Sequence, residues 1–124
     1  MNKKHITHGK LKVFMILFLT VILIVLVVVC AKIIKLSQNE KNIIGTWKNS
    51  NSENVITVQD SDTLILYKDI PEAGLYHGNA SYHFSYTDTI CVTQDDISAE
   101  FCVDVDENQL IIYFAGQVYL VLQK

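Results

Sequence analysis

The sequence predicts an all-β domain, a small antiparallel meander barrel of about eight short strands, carried behind one transmembrane α-helix. Three observations predict it. Residues 13 to 31, VFMILFLTVILIVLVVVCA, hold no charge, no Gly and no Pro, and only Thr20 is polar. Beyond residue 42 no window sustains a helical period. Short runs rich in Val, Ile, Tyr, Phe and Thr alternate there with turn-forming clusters. The charge also divides along the chain. Residues 1 to 42 carry seven lysines against Glu40, net +6, and residues 43 to 124 carry three lysines against twelve carboxylates, net −9.

The apolar run comes first. A nineteen-residue helix rising about 1.5 Å per residue covers roughly the 30 Å hydrocarbon core of a bilayer. Its β-branched residues lower helix propensity in water, but in lipid the backbone must satisfy its own hydrogen bonds, so helix wins. Lys3, Lys4, Lys10 and Lys12 precede the run and Lys32, Lys35 and Lys41 follow it, a slight bias toward a cytoplasmic N-terminus. The expected organisation is a basic cytoplasmic tail over 1–12, a membrane helix over 13–34, a polar linker over 35–42 and an extracytoplasmic β domain over 43–124. A lipoprotein signal requires a small residue before the modified cysteine, and Val29 before Cys30 does not fit. Val29-Cys30-Ala31 does offer a cleavage pattern before Lys32, which would release a secreted form. The run is longer than the roughly 7 to 15 residues of cleaved signals, so an uncleaved signal anchor is the expectation and Cys30 a plain apolar residue within it.

Eight strands follow: IIGTWKN (43–49), NVITVQD (54–60), TLILYKD (63–69), ASYHFSY (80–86), DTICVTQ (88–94), AEFCVDV (99–105), QLIIYF (109–114) and QVYLVLQ (117–123). The breaks SNSE, SD, DDIS, DEN and AG all have turn chemistry. The exception is IPEAGLYHGN, residues 70 to 79, which holds the only proline and forms the one long loop. Regular short strands with tight turns argue a meander that closes or nearly closes. Alternation assigns faces: Ile43, Gly45 and Trp47 share one, Tyr82, Phe84 and Tyr86 another, and Phe101, Val103 and Val105 a third. LILY, LIIYF and VYLVL are apolar on both faces, which leaves an outer patch for another chain or a membrane to cover.

Cys91 and Cys102 belong to consecutive strands. A hairpin folded about residues 96 and 97 sets them directly opposite, with both thiols on the more polar face. Opposed Cβ atoms lie about 4.5 to 5.5 Å apart, near the 3.5 to 4.5 Å a disulfide wants. In an oxidising exterior the bridge would contribute roughly 3 kcal/mol on the chain-entropy model. The disulfide Cys91–Cys102 is the expectation, and two inert thiols are its rival.

Catalytic and metal chemistry is absent as motif. Asp104-Val105-Asp106-Glu107-Asn108 begins like a calcium loop, but Gln109 stands where Gly belongs and Ala115 where Glu belongs. It reads as a hairpin turn. His77 and His83 would need a distant carboxylate to hold zinc, and His5 and His8 read as solvated. No G-x-S-x-G, phosphate loop or H-E-x-x-H occurs. The chain is expected to be non-catalytic and without a cofactor. An acidic domain without a single arginine is a poor ligand for nucleic acid.

Ile43-Ile44-Gly45-Thr46-Trp47-Lys48 resembles the opening of bacterial lipocalin-like domains, which begin their first strand with G-T-W. The similarity extends over about 80 residues, through the turn and strand Asp106-Glu107-Asn108-Gln109-Leu110-Ile111-Ile112 to the last strand Val118-Tyr119-Leu120-Val121-Leu122. In lipocalins the tryptophan closes one end of the barrel, often beneath an arginine from the last strand. Lys124 is the candidate for that place here. The resemblance implies an extracytoplasmic barrel that takes up an apolar small molecule in its interior.

Two functions follow as expectations. The first is a binding or interaction module of the cell envelope, meeting another envelope protein through apolar outer strand faces or the 70 to 79 loop. The second is a small-ligand carrier, with Trp47, Tyr82, Phe84 and Tyr86 lining an interior pocket.

Overall fold

The computed structural model describes the backbone of residues 3 to 60 and 62 to 124, and the side chains of residues 9 to 60 and 62 to 124. The expectation for His5 and His8 lies outside those side chains. Helix α1 (Lys3–Asn42) contains the apolar run. Its most apolar window has a mean hydropathy of 3.5 and is not buried against protein, so the helix is long and apolar enough to cross a membrane. An N-terminal helix of this kind is compatible with a membrane anchor or a signal sequence. Thr20, the one polar side chain of the run, donates its hydroxyl to the Ile16 carbonyl at 2.7 Å and so needs no partner outside the helix.

Two compact units divide after Ile34. The second begins with the segment expected as a polar linker, and that expectation is corrected: residues 35 to 42 are helical. The reason is a helical face hidden in a polar sequence. Leu36, Asn39 and Ile43, spaced by three and four, turn to one side, and burial deepens along them until Ile43 is 1% exposed. Ile43 donates its N–H to the Asn39 carbonyl at 3.0 Å as the helix closes. Thus Ile43 belongs to the helix end, and the first strand starts two residues later than expected.

The strands are β1 (Gly45–Lys48), β2 (Asn54–Val58), β3 (Thr63–Leu66), β4 (Gly78–Tyr86), β5 (Thr89–Gln94), β6 (Ile97–Val105), β7 (Gln109–Phe114) and β8 (Gln117–Gln123). They form a closed antiparallel barrel in sequence order, as the alternating runs predict. Between β7 and β8, Ala115 and Gly116 take φ of 52° and 79°, the left-handed pair that a two-residue hairpin turn requires. The last closure is slight: β1 meets β8 through the single pair Lys48↔Gln123.

The core is continuous from end to end. Trp47, Leu75 and Leu122 are fully buried, and Ile43 and Leu110 nearly so. Because successive strands reverse, the α1 end and the β4–β5 turn lie at one mouth of the barrel, and the loop between β3 and β4 lies at the other. Each mouth is stoppered. At the first, Asn39 (2% exposed) donates its side-chain N–H to the Thr87 carbonyl at 2.8 Å, while its buried Oδ1 has no partner among the described residues. At the second, the short 3₁₀ helix η1 (Pro71–Ala73) is flanked by buried Ile70 and Leu75, whose backbones exchange hydrogen bonds of 2.8 and 3.1 Å.

Candidate functional site

Trp47 anchors the first mouth. Its ring is fully buried, and Nε1–H donates to the Ile43 carbonyl at 2.8 Å, so the indole is satisfied by the helix end above it. The ammonium of Lys124 lies 5.0 Å from the ring centroid, within cation–π range, and donates to the Asn42 carbonyl at 3.1 Å. Lys124 therefore takes the place that the last-strand base was expected to take. Gly45 makes room for it: a Cβ at Gly45 would lie 2.7 Å from Lys124 Cε, and φ is +137°, where other residues are strained.

The four aromatics named as pocket candidates do not share a cavity. Tyr82 is buried and its hydroxyl donates to the Gln59 carbonyl at 3.4 Å; burial, then the charges of Asp62, Asp60 and Glu40, raise its pKa. Phe84 is half-buried against the core. Tyr86 is 71% exposed. A register shift explains that correction, because Phe84 pairs with Ile90 and Tyr86 with Thr89. The extra residue, Ser85, reverses the alternation. Inside the barrel a void of only about 20 Å³ is lined by aliphatic side chains and Phe101, at most enough for a single water. Tyr82 and Phe84 instead line an outward cleft of about 340 Å³ with Ile44, His83 and the carboxylates of Glu40, Asp60 and Asp62.

The expected disulfide is also corrected. Gln94 pairs with Ile97, so the hairpin turns about Asp95 and Asp96, with Asp95 at φ 54°. Cys91 then faces Glu100 and Cys102 faces Thr89, and both thiols are free. They share a face but sit diagonally, and diagonal neighbours lie about 7 to 8 Å apart, beyond disulfide reach.

The 70 to 79 loop is held down rather than presented. Tyr119 donates its hydroxyl to Glu72 Oε2 at 2.6 Å. That hydrogen bond, with some burial, pushes the phenol up to about 12 and lowers the Glu72 carboxyl. Asp69 accepts the His77 backbone N–H at 2.9 Å and lies 2.7 Å from His77 Nδ1, which holds its carboxyl below the usual range. The Gln94 amide brackets the Tyr76 backbone, accepting from its N–H at 2.8 Å and donating to its carbonyl at 2.7 Å. His77 and His83 do not converge, and among the described residues no three His, Cys, Asp or Glu side chains group to hold a metal. Asp106 caps its own hairpin, accepting from the N–H groups of Asn108 and Gln109 at 2.8 and 2.7 Å, as the turn reading predicts. Those bonds lower its pKa.

What the barrel does present is an outer ladder on β7 and β8. Ile111 pairs with Val121 and Tyr113 with Val118. Val118 and Val121 are 58% and 49% exposed. On the β6 side the rows continue into Asp104 and Cys102.

The chain matches no protein-family model, no curated protein and no solved structure. A filled aliphatic interior offers no room for a ligand and no group to act on one. An outer face of paired apolar side chains offers area to a protein surface. Neither the filled interior nor the loop's clasps carried a signal in the sequence. The ladder did, as strands apolar on both faces.

Proposed function

We propose that this protein is a non-catalytic interaction module of the cell envelope: a lipocalin-like barrel held extracytoplasmically by an uncleaved, single-pass N-terminal helix. Its β7–β8 outer face meets a protein partner. The observation that carries this reading is the pairing of a barrel interior with about 20 Å³ of free space and an exposed apolar ladder outside it. Burying that ladder removes apolar surface from water. The Gly45–Trp47–Lys124 arrangement supports the lipocalin-like part of the reading. The test is site-specific photocrosslinking in the native host's membranes. Probes replace Ile111 and Val121, with Ser81 on the opposite side of the barrel as control. Adducts of a defined protein at the first two positions alone support the module, and their absence at both refutes it.

A small-ligand reading keeps one foothold, in the outward cleft rather than the interior. Two aromatics beside three carboxylates suit a cationic amphiphile better than a neutral lipid. Saturable shifts of Tyr82 signals in a spectrum of the full chain, on addition of an alkylammonium, would favour that carrier; silence across chain lengths would remove it.

A further inference from the structure

We infer that the partner of the β8 seam is a second copy of this chain, joined to it by antiparallel pairing of β8 with β8. The inference rests on the reading of the protein as a membrane-held interaction module and names what the module meets. Along one side β8 is paired with β7 from Gln117 to Gln123. Along the other it meets β1 only at Gln123. β1 cannot extend further, because the chain turns at Asn49, whose N–H donates to the Glu53 carbonyl and whose Oδ1 accepts from Asn51 and Glu53. Among the described residues, none pairs as a strand with residues 118 to 122 on that side.

The phase of the free groups follows from one hydrogen bond. Lys124 donates its N–H to the Asn108 carbonyl at 3.1 Å, so in an antiparallel ladder Leu122 and Leu120 direct their backbone groups toward β7. Val121 directs its N–H and C=O into the open seam. Such groups want backbone partners, and an added strand supplies them. The bulge that shifts register between Ile112 and Tyr113 confines regular pairing to the stretch around Val121.

A second copy fits this edge for two reasons. Antiparallel pairing about Val121 is two-fold symmetric, so each free N–H meets the free C=O of the same residue in the other copy. The strand QVYLVLQ holds no charge, Gly or Pro, and so lacks the devices that keep edges apart, in a domain that otherwise carries net −9. The joint also covers Val121 and Val118. It is small, and confinement to one membrane surface raises the effective concentration that makes it count.

The experiment measures energy transfer between full-length chains labelled at the N-terminal amine and co-reconstituted in neutral phosphatidylcholine vesicles. Val121→Pro deletes the seam N–H while leaving the β7 ladder intact, and Val121→Lys adds a charge to the edge; Ser81→Lys is the control. Wild type and S81K should reach half-maximal transfer at a surface density about tenfold below V121P, the loss of one weak hydrogen bond from each copy. Added salt should strengthen association, because it screens two like-charged domains. Trp47 emission checks that V121P has folded, and V121K carries the test if it has not. Transfer that both variants leave unchanged assigns association to the helix and overturns the proposal, as does no transfer at any density. In the last case, continued crosslinking of a foreign protein at Ile111 or Val121 would leave the interaction module standing, and its absence would overturn both.

Discussion

Replacing Gly45 by alanine tests the structure at its tightest point. Two costs arise together. The backbone at φ +137° becomes a strained conformation for a residue with a Cβ, about 1 to 3 kcal/mol. The new Cβ would also sit 2.7 Å from Lys124 Cε, so the lysine must swing off Trp47. That displacement forfeits a cation–π contact of about 0.5 to 1 kcal/mol and an exposed hydrogen bond to Asn42. A loss of about 2 to 3 kcal/mol is expected, which at a urea slope of about 1 kcal/mol per molar lowers the midpoint by roughly 2 to 3 M. The assay is urea unfolding of the full chain in nonionic detergent, followed by Trp47 emission. The same substitution in a Lys124→Ala background separates the two costs. If the lysine clash matters, G45A costs less there by about 0.5 to 1 kcal/mol. A G45A midpoint within roughly 0.3 M of wild type, well inside the strain expected at positive φ, refutes the reasoning.

Other substitutions probe the stoppers and the thiols. Asn39→Ala removes the side-chain donor from the α1 end to the Thr87 carbonyl and should destabilise the barrel by about 1 to 2 kcal/mol in the same unfolding assay. Tyr119, held up to about 12 by Glu72, should ionise well above an ordinary tyrosine when absorbance at the phenolate band is titrated, and Tyr119→Phe should delete that late component. Because the folded pKa is raised, the contribution of this contact is complete below pH 10 and is lost as pH rises toward 12. The carboxylates of Asp69, Glu72 and Asp106 have the opposite sign: their pKa values are lowered, so their contribution is present above the ordinary carboxylate range and fades as pH falls below it. Cys91→Ser and Cys102→Ser should each shift stability by less than about 0.5 kcal/mol, and maleimide should label the exposed Cys102 faster than Cys91; a reductant-dependent loss near 3 kcal/mol would instead signal a bridge.

The strands were legible because alternation and turn chemistry agree over short, separate runs, and all eight form where the runs lie. Trp47 was legible for the same reason, with Gly45 and Lys124 beside it. The helical stretch after Lys35 was not, because its buried face contains Asn39, whose burial depends on a carbonyl forty-eight residues away. The cysteine register failed by two residues because two adjacent aspartates, Asp95 and Asp96, and Ser98 all have turn chemistry, and only the Gln94↔Ile97 pair fixes the turn at Asp95 and Asp96. Tyr86 failed because one inserted residue, Ser85, reverses a strand's faces, and period-two reasoning cannot see a bulge. The stoppered interior was hidden because loop residues such as Ile70 and Leu75 carry no periodicity to announce that they fold inward.

The single-pair closure between β1 and β8 has a mechanical consequence. A pull applied along α1 enters the barrel at Ile43 and passes directly into β1. That strand is held to β2 over four paired residues but to β8 over one. Under load the seam should part first, peeling β1 and then β2 away as a hairpin, while β3 to β8 keep their pairings with one another. Rupture would begin where Lys48 meets Gln123, and it would bare the indole of Trp47.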